Sequence, residues 1–67
     1  MKILLNNRKE VFDREEMTVS DLLKEKKMTF RMRIVKINGN LVEKDKYDTT
    51  QVSDGDNVQV IYLMSGG

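Results

Sequence analysis

One helix signal lies between two groups of strand-like segments in this chain of 67 residues. Thr18-Val19-Ser20-Asp21 resembles a capping box, because an acidic side chain follows an N-cap threonine after three residues. Val19, Leu22 and Leu23 share one face at helical spacing, which predicts a helix from about Val19 to Lys27. One short helix covers only one face of a sheet, so the other face must be open to water or to a partner.

Two strands are predicted before the helix. In residues 1–6 the alternation places Met1, Ile3 and Leu5 on an apolar face and leaves Leu4 on the opposite, polar face. The turn signal at residues 6–9 then leads to a short second strand at residues 10–13. This opening segment is therefore predicted to be a β-hairpin.

Three strands are predicted after the helix. Residues 32–37 and Leu41-Val42 flank Asn38-Gly39, a strong signal for a type I′ hairpin turn. Residues 43–50 are expected to form a loop or a single helical turn, and residues 57–64 the last strand. Phe30 and Met28 are expected to cover the end of the core where the helical position at Lys26 is not apolar.

The order β-β-α-β-β-β predicts a single α+β domain over residues 1–67, with a mixed four- to five-stranded sheet packed on one helix. If Val58 and Val60 face the helix together with Tyr62, alternate residues of the last strand face outward. Leu4 joins them if the first and last strands are neighbours. An exposed apolar patch of this kind is typical of a docking surface, although single apolar side chains are also common on ordinary surfaces. The predicted docking residues are Leu4, Ile61, Leu63 and Met64.

Composition excludes several classes of function. The sequence has no Cys and no His, which rules out disulfides, Cys/His zinc sites and Ser-His or Cys-His nucleophile pairs. Lys and Arg number 12 against 11 Asp and Glu, and this balance does not indicate nucleic-acid binding. Residues 24–36 are rich in Lys and Arg, and a solvated helix end and strand face is favoured over a nucleic-acid patch. The apolar run at residues 1–5 is too short for a signal peptide or a membrane span, so a cytoplasmic protein is expected.

The sequence closes on Ser65-Gly66-Gly67, directly after the last predicted strand. Glycine has no Cβ and the widest backbone freedom, so residues 64–67 are predicted to form a thin, flexible C-terminal tail that fits a narrow enzyme pocket. An ordinary frayed terminus is the alternative interpretation of the same residues.

The whole pattern resembles the ThiS-type sulfur carriers of thiamine biosynthesis, which have the ubiquitin-like β-grasp fold. Similar segments run along nearly the entire chain, although the proline that the family usually has after its second hairpin is absent. They are Met1-Lys2-Ile3-Leu4-Leu5-Asn6, Thr18-Val19-Ser20-Asp21-Leu22-Leu23, Ile37-Asn38-Gly39-Asn40-Leu41-Val42, Tyr47, Asp54-Gly55-Asp56 and Ser65-Gly66-Gly67.

The resemblance implies a carrier that is not itself an enzyme and supplies no catalytic group. The Gly67 carboxylate would be adenylated and then converted to a thiocarboxylate, while Ser65 and Gly66 thread into the partner's active site. The implied partners are an E1-like adenylating enzyme (ThiF type), thiazole synthase (ThiG type) and a cysteine desulfurase as sulfur source. No metal or bound cofactor is implied, ATP is consumed by the adenylating enzyme, and the free protein is expected to be a monomer that binds neither nucleic acid nor membrane.

Three other functions remain open at this point. The small subunit of molybdopterin synthase (MoaD type) also ends in Gly-Gly, but it usually carries a Pro-Pro shortly before its tail, where this chain has Tyr62-Leu63-Met64. A protein modifier of the ubiquitin kind would use the same activated Gly67 to acylate lysines. A non-catalytic β-grasp interaction module would keep the fold and the apolar patch without using the tail.

Overall fold

A five-stranded sheet packs on one short helix in the computed structural model, which describes residues 1–63. The strands are β1 (Lys2–Leu5), β2 (Arg8–Val11), β3 (Met17–Thr18), β4 (Arg33–Ile37), β5 (Asn40–Val42), β6 (Gln51–Val52) and β7 (Asn57–Tyr62), and the helix is α1 (Val19–Glu25). A short 3₁₀ turn at Lys44–Lys46 lies within the segment predicted to be a loop or a single helical turn.

The strand order in the main sheet is β2-β1-β7-β4-β5. β1 and β7 pair in parallel, and the other neighbours pair antiparallel, so the predicted mixed sheet is confirmed. β3 and β6 form a separate two-stranded pair that the sequence pattern did not predict. Each of these strands has two residues, which is too short for any alternation to show.

Both hairpins of the main sheet turn on two residues with positive φ. Asn38 and Gly39 have φ values of 51° and 85°, and Asn6 and Asn7 have 51° and 67°. Positive φ at both central positions is the mark of a type I′ turn, whose twist matches that of the flanking strands. The predicted turn at Asn38-Gly39 is therefore confirmed, and the second strand begins at Arg8, two residues earlier than predicted.

The capping box at the start of α1 is present as predicted. The backbone N–H of Asp21 donates to Thr18 Oγ1, and the backbone N–H of Thr18 donates to Asp21 Oδ2, both at 3.1 Å. The helix ends at Glu25, two residues before the predicted end, because Lys27 has a left-handed φ of 57°. The Lys26 ammonium donates to Glu10 Oε1 at 3.0 Å, so its charge is paired at the rim of the core.

The core lies between α1 and the sheet face that carries alternate residues of β1, β4 and β7. Phe30 does not cover its end, so that prediction is wrong: the side chain is half exposed, whereas Met28 packs against the core as expected. The buried apolar side chains are Ile3, Leu5, Phe12, Met17, Val19, Leu22, Leu23, Val35, Tyr47, Val52, Val58 and Val60. Within residues 1–63, no helix is long and apolar enough to cross a membrane.

Candidate functional site

The last strand, β7, lies at the centre of the sheet, between β1 and β4. Backbone pairing continues just beyond it, since the N–H of Leu63 donates to the carbonyl of Met32 at 2.6 Å. β1 pairs with β7 at Asn57 and Val58, whereas β4 pairs with it from Val58 to Tyr62. The end of β7 is therefore held by β4.

Asn6 holds β7 at the point where β1 stops. Its backbone N–H donates to the carbonyl of Val58 at 2.9 Å, and its side-chain Oδ1 accepts from the backbone N–H of Val60 at 2.8 Å. The amide side chain thus replaces a backbone acceptor that the short β1 no longer supplies. Sequence reasoning identified Asn6 only as a turn residue, because a partner 54 positions away leaves no local signal.

The predicted docking residues do not form one patch. Ile61 and Leu63 are exposed to about the same degree and lie beside Ile34, which is opposite Ile61 in the register of β4 and β7. Leu4 is exposed on the same sheet face, but it is opposite Asn57. Four residues along a strand correspond to about 13 Å, so Leu4 lies at the far end of β7 from Ile61. Met64, Ser65, Gly66 and Gly67, together with the predicted flexible tail, lie outside the described residues.

Phe30, Met32 and Tyr62 are further exposed side chains near the end of β7. Together with Ile61 and Leu63 they form what we call the tail-side surface. Phe30 and Tyr62 form an edge-to-face aromatic pair with ring centroids 5.3 Å apart, and both rings are about half exposed. Met32, 55% exposed, is two positions after Phe30, and its backbone carbonyl accepts from the N–H of Leu63. Exposed aromatic and methionine side chains are enriched at protein interfaces. The exposed apolar groups near the end of β7 therefore include more than Ile61 and Leu63.

Arg33 connects β4 to Tyr47 and to the backbone of Phe30. Its guanidinium lies 5.5 Å from the centre of the Tyr47 ring, and its Nη1 donates to the backbone carbonyl of Phe30. A cation over an aromatic face is attracted by the electron density of the ring. The residue comes from the basic stretch at residues 24–36, in which Lys26 is also engaged, by Glu10. These two contacts support a structural role for part of that stretch.

The Asp21 carboxylate accepts a hydrogen bond at the start of α1. The pKa of Asp21 is lowered from its ordinary value, first because the Thr18 backbone N–H donates to the carboxylate and then because of the Thr18 hydroxyl. Asp21 belongs to the helix cap and not to the tail-side surface. Residues 1–63 contain no group of three or more Asp, Glu, His or Cys side chains placed to hold a metal ion.

Residues 1–63 thus form a small sheet with exposed apolar side chains near the end of β7. The sequence model of the ThiS family matches residues 2–67. The chain belongs to the ThiS family. The match spans nearly the whole domain and includes the terminal glycines.

Two solved structures agree with this membership. The chain is similar to the crystal structure of the thiamine biosynthesis protein ThiS from Geobacter metallireducens, with 33% identity over the full length of both chains and a TM-score of 0.90. It is also similar to the NMR solution structure of a thiamine biosynthesis protein from the same organism, with 33% identity, a TM-score of 0.80, and coverage of 100% of this chain and 88% of that chain. The predicted ubiquitin-like β-grasp fold is confirmed by these similarities.

Proposed function

We propose that this ThiS-family protein is a sulfur carrier in thiamine biosynthesis, in which the Gly67 carboxylate is adenylated, converted to a thiocarboxylate and used to donate sulfur to thiazole synthase. The observation that carries the proposal is the family match through residue 67, which includes Gly66 and Gly67. The position of β7 supports it, since the central strand leads directly into this segment.

The chemistry explains why such a carrier needs activation. A carboxylate is a poor electrophile, because its negative charge repels nucleophiles and oxide is a poor leaving group. Attack of the Gly67 carboxylate on the α-phosphate of ATP releases pyrophosphate and gives an acyl-adenylate, from which AMP departs readily. A persulfide then displaces AMP to form an acyl disulfide. A thiol attacks the sulfur that is not bonded to the acyl carbon, which releases the thiocarboxylate and forms a new disulfide.

The carrier itself contributes a substrate group and surfaces in this scheme. Gly66 and Ser65 are small enough to enter a narrow active site, since glycine has no side chain beyond its α-carbon. The E1-like adenylating enzyme consumes ATP, a cysteine desulfurase supplies the persulfide, and thiazole synthase accepts the sulfur. Because the carrier must leave each partner after its step, we expect modest and reversible interfaces.

We place the shared docking surface around Ile61 and Leu63, with Met64 as its continuation and Leu4 as a separate contact at the other end of the sheet. Ile61 and Leu63 are exposed beside Ile34, and the three side chains form a continuous apolar strip across β4 and β7. The edge-to-face pair of Phe30 and Tyr62 lies at the same end of the sheet.

The deciding experiment measures intact mass after incubation with ATP, the adenylating enzyme and a sulfur source. We expect a gain equal to the mass difference between one sulfur and one oxygen atom, and no gain for the variant that lacks Gly67. Ser53→Ala, a change in an exposed turn residue, is the matched control and should load normally. Normal sulfur loading of the variant without Gly67 would overturn the proposal.

Two other outcomes would assign the tail differently. An AMP adduct that never acquires sulfur would indicate activation for conjugation to another protein. Sulfur loading followed by transfer only to the large subunit of molybdopterin synthase, and not to thiazole synthase, would assign the carrier to the other pathway.

A further inference from the structure

β2 is an open edge of the main sheet, with β1 as its strand partner within residues 1–63. Met1 and Phe12 exchange two backbone hydrogen bonds, of 2.9 and 2.8 Å, across this hairpin. Hydrogen-bonded pairs alternate with non-hydrogen-bonded pairs along an antiparallel ladder. The N–H and C=O groups of Lys9 and Val11 therefore point away from β1, into the space beside the sheet.

An apolar groove accompanies this edge on the sheet face opposite α1. Its volume is about 460 Å³, and its lining includes Leu4 and Val11. Val11 is 69% exposed, and Leu4 is 38% exposed. The register places Leu4 opposite Lys9 and Val11 opposite Lys2, so that apolar and cationic side chains alternate across the two strands. The groove therefore offers both apolar contact and positive charge beside unpaired backbone groups.

The charge around the groove favours an acidic occupant. Lys2 and Lys9 line it and are exposed. Glu10 also lines it, but its carboxylate accepts from the Lys26 ammonium at 3.0 Å, so its charge is paired. The nearby carboxylate of Asp54 is engaged by the backbone N–H of Lys2, at 2.6 Å from Oδ1. A second copy of the chain would bring its own Lys2 and Lys9 to this edge, so it matches the charge less well than an acidic segment does.

We propose that β2 binds an extended acidic peptide segment of another protein as an added antiparallel strand. Side chains two positions apart share one face of a strand. The segment therefore carries an apolar residue opposite Val11 and, two positions later, a carboxylate opposite Lys9. Main-chain hydrogen bonds to Lys9 and Val11 supply affinity, and the two side-chain contacts supply specificity. This surface is distinct from the tail-side surface, and the inference does not depend on the function proposed for Gly67.

The test uses the full chain labelled with ¹⁵N and a synthetic peptide, acetylated and amidated, of sequence Thr-Thr-Val-Thr-Asp-Thr-Thr. We expect the amide resonances of Lys9 and Val11 to shift on titration and their hydrogen exchange to slow. Leu41 is the internal control, because it occupies the equivalent outward position on β5, the other edge strand of the sheet. Its resonance should not move.

Two further peptides test whether binding depends on charge and spacing or is nonspecific. Replacing the aspartate by lysine should weaken binding, and placing the valine and aspartate next to each other should weaken it too, because adjacent side chains face opposite sides of a strand. Lys9→Glu should weaken binding of the first peptide by up to about fivefold, since an exposed ion pair contributes up to about 1 kcal/mol. Leu41→Ser should leave the affinity unchanged.

Several results would overturn the proposal. They are the absence of shifts at Lys9 and Val11 at millimolar peptide, equal shifts at Leu41, and equal binding of the lysine peptide. Thermal melts of the Lys9→Glu variant verify that a lost interaction does not reflect a lost fold, which is not expected for an exposed side chain.

Discussion

Asp21 shows how a single side chain makes the stability of this domain depend on pH. The Thr18 backbone N–H donates to its carboxylate, which lowers the pKa in the folded state from the ordinary value of 3.8. A group whose pKa is lowered by folding stabilises the protein above its unfolded pKa, and the stabilisation is lost as the pH falls through the folded pKa. The contribution is therefore complete at neutral pH and disappears only in acid.

We predict that Asp21→Asn lowers stability at neutral pH and reduces the loss of stability on acidification from neutral pH to below the folded pKa. Asparagine does not titrate, so the variant lacks the proton uptake that Asp21 contributes when the wild type unfolds in acid. Urea unfolding of both proteins at several pH values measures the effect, with the exposed Asp45→Asn as the control. An equal acid-induced loss in wild type and Asp21→Asn would contradict the prediction.

Residues with local partners could be predicted from the sequence, and residues with distant partners could not. The capping box was predictable because Thr18 and Asp21 are three positions apart and bond to each other's backbone. Asn6 bonds to Val60 through its side chain, and nothing near Asn6 in the sequence indicates that partner. The lysine at position 26 was predictable as a rim residue, but its pairing with Glu10 depends on how the hairpin lies across α1.

At the scale of the elements, β7 separates stability from docking, because its successive side chains face opposite sides of the sheet. Val60 is 5% exposed and packs in the core, whereas Ile61 is 40% exposed on the outer face. The alternation in the sequence predicted these two faces, but Tyr62, which was expected to face the helix with Val58 and Val60, is 46% exposed and lies outside the core. It did not predict the register of β1 against β7, which places Leu4 opposite Asn57 and away from Ile61.

We predict that Ile61→Asp weakens binding to the adenylating enzyme by about tenfold or more, as expected for a central interface residue, and costs about 1 kcal/mol or less of stability. Val60→Ala is the matched comparison. It should cost about 2 kcal/mol, because buried methyl groups are lost and a cavity remains, with little change in binding by the folded fraction. Titration calorimetry and thermal melts measure the two quantities. A large melting shift for Ile61→Asp with unchanged binding would show that this side chain is part of the core.

At the scale of the whole molecule, the domain is small and has one core. For 67 residues, typical folding free energies correspond to about 3–10 kcal/mol. Leu22 is fully buried between α1 and the sheet. Removing most of a buried leucine side chain costs about 2–5 kcal/mol. One such substitution therefore removes a large share of the stability of this protein.

The function proposed for Gly67 makes a separate demand on the chain, because it needs the terminal carboxylate and not any core side chain. We therefore predict opposite outcomes for two variants. Leu22→Ala should lower the melting temperature by about 4–8 °C for each kcal/mol lost, yet still accept sulfur at temperatures where it is folded. The variant without Gly67 should melt like the wild type and accept none. Calorimetric melts combined with intact mass after sulfur loading measure both properties. Loss of loading in a folded Leu22→Ala protein would contradict the prediction, because loading would then depend on a core side chain as well as on the tail.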